Sequence, residues 1–127
     1  MLYVKESSKS VEQAAADLEA AIKRHGFGTL HQYDFKKTLH DKGFELANEC
    51  RVLEICNPKQ AAAVLEHNMA LNMALPCRVS VYQEEGRTQI GMVRPTALLG
   101  LISQSDELRE TAEEVERTII KMIDEAV

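Results

Sequence analysis

A chain of 127 residues that is 45% hydrophobic and 28% charged fits one globular domain, too apolar for disorder and too mixed for a fibre. Its 20 acidic residues against 15 basic ones leave a net charge of −5, and no basic run offsets it, so nucleic-acid phosphates and anionic membrane surfaces are excluded as expected partners. No apolar stretch approaches the roughly 20 residues that span a bilayer. "MLYVKESSKS" likewise lacks the apolar core and cleavage site of a secretion signal. The expectation is a cytoplasmic protein in which Cys50, Cys56 and Cys77 are reduced thiols.

In chain order, "LYVKE" alternates apolar and polar residues and predicts a strand. Ser10 followed by Gln13 is a capping box. It opens a helix whose Val11, Ala14, Ala15, Leu18, Ala21 and Ile22 share one face, with Gly26 as the stop. "GTLHQYDF" predicts a second strand. Asp34 then caps a short helix that ends at Gly43. "CRVLEIC" predicts a third strand, with Leu53 and Ile55 on one face and Val52 and Glu54 on the other.

Asn57 and Pro58 end that strand and begin a helix, as cap and first helical residue. Ala61, Val64 and Leu65 turn inward, and the helix frays in "HNMALNMALP". "CRVSVYQ" and "RTQIGMV" form a predicted hairpin around "EEGR", with Cys77, Val79 and Val81 on one face and Arg78, Ser80 and Tyr82 on the other. After Pro95, "TALLGLI" reads as an apolar connection with one helical turn. The last helix carries Leu108, Ala112, Val115, Ile119 and Met122 on one stripe, and outer pairs Glu113–Arg117 and Lys121–Glu125 at i, i+4.

The order β-α-β-α-β-α-β-β-α predicts an α+β fold over residues 1–127. Its single sheet is expected to be mixed, partly antiparallel, with the helices packed on one face.

Two segments stand apart from this ordinary pattern. "ECRVLEICNPKQAAAVLE" followed by "MALPCRVSVYQEEGRTQIGMVRP" resembles the domain of unknown function 302 family, in which a Cys-Asn-Pro step after a strand leads to a helix and a Leu-Pro-Cys step leads into the next strand. "GFGTLHQYDFKKTLHDKG" resembles that family's upstream segment, so the likeness covers nearly the whole chain. It implies a small α+β fold that often forms a dimer, and it implies no reaction. Arg94 precedes Pro95 where the family often has an acidic residue, so no carboxylate role carries over there.

The candidate binding site is Cys56, Asn57, Pro58, Pro76 and Cys77, joined by His31 from the second strand. Cys56 stands just before a helix start, where unpaired N–H groups favour a thiolate. Cys56 and Cys77 therefore form either a thiol site or two small side chains filling tight corners.

A metal is not expected, because the thiols are far apart in sequence with only Glu66 and His67 between them as further donors. No cofactor is expected either, since "GFG" lacks the pattern of a phosphate cradle. Glu84–Glu85 and Glu113–Glu114 fall in a turn and on a solvated face, where catalytic pKa shifts do not arise. Three functions follow: a homodimer that binds a small molecule or partner at the Cys-Asn-Pro and Pro-Cys segments, a redox or sulfur-carrier protein with Cys56 as nucleophile and Cys77 as resolving thiol, or a purely structural dimer module that uses the exposed sheet face or the last helix. The sequence leaves open whether any reaction is catalysed.

Overall fold

Caps and stops set the elements. In the computed structural model, which describes residues 1–127, strand β1 (Leu2–Ser7) is followed by α1 (Val11–Arg24), β2 (Gly28–Asp34), α2 (Phe35–Asp41), β3 (Cys50–Cys56) and α3 (Pro58–His67). A 3₁₀ helix (Met69–Ala74), β4 (Cys77–Glu84), β5 (Arg87–Val93), α4 (Pro95–Gly100) and α5 (Asp106–Ala126) complete the chain. Ser10 Oγ accepts from Gln13 N at 3.1 Å and Asp34 Oδ1 from Lys37 N at 3.1 Å, so both predicted caps form. Gly26 takes φ of 81° just past α1, a conformation in which a side chain would be strained.

The five strands pair in the order β1-β5-β4-β3-β2, and every pairing is antiparallel. The partly antiparallel character read from the sequence thus extends to the whole sheet. The first strand lies beside the last, and α1 carries the chain across to the opposite edge. The segment after Pro95 forms a helix, α4, where the sequence suggested a single turn, and the fraying end of α3 resolves into the 3₁₀ helix.

Helices α1 and α5 cover one sheet face. Leu53, Ile55, Val79, Val81 and Ile90 from the strands meet Leu18 and Ile22 of α1 and Ile119, Met122 and Ile123 of α5 in the main core. A second cluster joins Val64, Leu71 and Leu99 to Leu108 and Ala112 at the N-terminal half of α5. The pairs expected along α5 do not form. Glu125 instead meets Arg24 at 3.2 Å and His25, and Asp124 meets Lys5 at 3.0 Å. Reaching a cation on a neighbouring element ties α5 to α1 and β1, which a pair along one helix does not.

On the other face, register places Leu2 and Val4 beside Val93 and Gly91, and Glu54 opposite Arg78. Leu2, Val4 and Val93 are 62%, 41% and 43% exposed there. Gly91 is required by close approach: a Cβ at that position would stand 2.7 Å from Val4 Cγ2 and 2.9 Å from the Tyr3 carbonyl oxygen.

Candidate functional site

The two unusual segments meet where β3 ends and β4 begins. Cys77 is the cross-strand partner of Ile55, which places it one step from Cys56. Strand alternation turns Ile55 and Cys77 toward the helices, and Cys77 packs against the main core. The chain leaves Cys56 directly into α3, whose start is fixed by Asn57 Oδ1 accepting from Gln60 N at 3.2 Å and by Pro58 at the first helical position. A proline has no N–H to lose there, so the turn from strand to helix is tight. The 3₁₀ helix then returns the chain to Leu75 and Pro76, joined by a cis peptide bond, and into β4.

This folding leaves a gap. The main core ends at Phe27, Ile55 and Val115, and the second cluster begins at Val64, Leu99 and Ala112. Between them lies a cavity of about 280 Å³ lined by residues of both, together with Cys56, Asn57, Leu75, Pro76 and Cys77. The small side chains Ala61 and Ala112 face it from α3 and α5, where larger ones would close the seam.

Of the residues singled out in the sequence, Cys56, Asn57, Pro76 and Cys77 share this wall. Pro58 does not line the cavity; it is exposed and acts through the helix start. His31 is also elsewhere. It is the register partner of Glu54, exposed on the open face of the sheet, with its ring 4.4 Å from that of Tyr33 in an edge-on arrangement. A register shift between Thr29 and His31 sets which residues of β2 face the helices, and His31 is not one of them.

The wall is electrically quiet. None of its residues is a carboxylate, a lysine, an arginine or a histidine. Burial pushes the Cys77 thiol up to about 11, and the nearby Cys56 adds to the shift because two thiolates would repel. Cys77 is therefore a neutral thiol at physiological pH. Cys56 lies beside it, and all three cysteines are free thiols. No group of three or more His, Cys, Asp or Glu side chains is close enough to hold a metal ion.

A larger cavity, about 640 Å³, adjoins the first across Leu75, Pro76, Cys77 and Leu99. It runs onto the open sheet face and is lined by Leu2, Val4 and Val93 with Glu54, Arg78, Ser80 and Tyr82. The Glu54 carboxylate on the same face pushes the Tyr33 phenol pKa up. Arg78 forms no ion pair within 4.0 Å.

Sequence reasoning did not single out Gln60, Asn72, Thr111 or Val115 as parts of the site. The available signal was the pair of small residues, Ala61 and Ala112, on otherwise larger apolar stripes.

The family model described as "Domain of unknown function DUF302" matches residues 3–126. The crystal structure of an uncharacterized conserved protein DUF302 from Bacillus stearothermophilus superposes with a TM-score of 0.93 at 35% sequence identity, covering 99% of this chain and 98% of that one. No curated protein matches the chain. No helix is long and apolar enough to cross a membrane.

Proposed function

This chain belongs to the DUF302 family, and from that premise we propose that it is a binding protein whose ligand is a small, mostly apolar, uncharged molecule seated in the cavity between the two core clusters. The observation that carries this reading is the composition of the wall. The Cys-Asn and Pro-Cys segments converge on an apolar space with a few polar atoms and no charge. Apolar clefts with a few placed polar groups are the usual form of small-molecule sites. An ionised ligand would lose its hydration there without a countercharge, whereas an uncharged one gains from burial.

The thiol-centred alternative, with Cys56 as nucleophile and Cys77 as resolving thiol, has the shared wall in its favour. Against it stand the raised Cys77 pKa and the lack of a neighbouring base.

Native mass spectrometry of protein purified without added reductant or chelator separates the two. A small molecule released on unfolding and missing from an Ala61→Leu variant, whose larger side chain enters the cavity, is the expected result. A sulfur adduct or metal that vanishes in Cys56→Ala instead would favour the thiol reading. Clean protein without any adduct would count against both.

We further propose that the working form is a homodimer in the cytoplasm, where reduced thiols persist. A two-fold interface has to complement itself. The open sheet face offers exposed Leu2, Val4 and Val93 next to Glu54 and Arg78, one charge of each sign on adjacent strands. Sedimentation should give twice the chain mass, and Val4→Lys should halve it; a monomeric wild type would dismiss the dimer.

A further inference from the structure

The polar side chains of the smaller cavity differ in one respect. Asn57 Oδ1 accepts from Gln60 N at 3.2 Å. Asn72 Nδ2 donates to the Met69 carbonyl at 2.6 Å, and Thr111 Oγ1 donates to the Glu107 carbonyl at 3.4 Å. Each of these bonds is local to a helix turn or cap. The thiols of Cys56 and Cys77 are weak partners in any hydrogen bond. Gln60 is the exception: its Oε1 is sealed from solvent and accepts from no donor.

The cause lies in the helix start. Pro58 and the Asn57 cap fix the first turn of α3, and the cap bond is made to Gln60's own backbone N–H. The cap thus engages the Gln60 backbone and leaves the oxygen of its side-chain amide without a donor. A buried acceptor left without a donor costs free energy that a donor arriving from outside would recover.

We infer that Gln60 is the specificity-determining residue of this cavity, selecting apolar ligands that bring one O–H or N–H donor, such as a phenol, an alcohol or a secondary amide. The last torsion of a glutamine is soft, so a turn of the amide carries Oε1 from the wall to the ligand. This inference rests on the binding reading above, and it adds the chemical class of the ligand.

The test uses two probes of the same shape, 1-naphthol and 1-methylnaphthalene, of which only the first donates. Each is titrated by calorimetry into wild type and into Gln60→Met, which keeps the side-chain length and removes the acceptor. Wild type is expected to prefer 1-naphthol by about three- to tenfold, the weight of one neutral hydrogen bond. In Gln60→Met that preference should vanish while 1-methylnaphthalene binds as before or better.

Equal affinity of both probes for wild type overturns the role of Gln60 and leaves the cavity reading standing. A naphthol preference that survives in Gln60→Met also overturns it. Binding of neither probe to wild type overturns both. Thermal unfolding of Gln60→Met checks that it folds, and if it does not, the wild-type comparison alone decides.

Discussion

The Cys77 thiol gives the buried wall of the cavity a pH signature. Its pKa rises from the ordinary 9.0 to about 11, first because burial removes water from the thiolate and then because Cys56 is close. Below the unfolded value both folded and unfolded chains hold the proton, and the stabilisation is complete. Between the two values the unfolded chain ionises while the folded chain keeps its proton, so stability falls as pH rises. The slope is about 1.4 kcal/mol per pH unit, or roughly 3 kcal/mol across the window.

Urea unfolding at intervals from about pH 8 to 11 measures this, with Cys77→Ala as the reference protein. The variant is less stable at the start because contacts are lost, but it lacks this titration. Tyr3 and Lys5, whose pKa values are also raised, titrate in both proteins and cancel. The gap between the two stability curves should therefore close by roughly 3 kcal/mol as the pH rises. The same shift makes Cys77 about a hundredfold slower than an ordinary cysteine toward iodoacetamide near pH 8. A gap that stays constant across the window, or Cys77 labelling at the rate of the unfolded chain, would refute the assignment.

Other perturbations test the frame around the site. Asn57→Ala should cost about 1 kcal/mol through the lost cap, and Asn57→Asp, which keeps the acceptor, should recover most of it in urea unfolding. Gly91→Ala brings a methyl group within 2.7 Å of Val4 and should cost about 1–3 kcal/mol, with β1 amides losing hydrogen-exchange protection first. Leu71→Ala empties a fully buried position in the second core cluster. It should cost about 2–5 kcal/mol in thermal or urea unfolding.

Much of this frame was legible because local chemistry determined it. Ser10, Asp34 and Asn57 cap the helices they were expected to cap, and Leu53, Ile55, Val79 and Val81 lie on the faces their alternation assigns. What stayed hidden is set by long-range pairing. Nothing in "LYVKE" says that it lies beside β5 and not β2. Nor does the sequence show that two apolar clusters stop short of each other at Ala61 and Ala112.

The Cys-Asn-Pro and Pro-Cys segments could be placed near each other because each marks the end of an element. His31 could not be placed, because a register shift in β2 decides its face. Gln60 was invisible for another reason: an unsatisfied amide is a property of its surroundings.

The central claim is that the seam between the clusters takes an uncharged apolar molecule. Nuclear magnetic resonance of methyl-labelled protein titrated with 1-methylnaphthalene tests it most directly. The account predicts saturable shifts at Val64, Leu65, Leu75 and Val115, no change at Leu2, Val4 or Val93, and loss of the response in Ala61→Leu. Shifts confined to the open sheet face, or none that saturate, would contradict it.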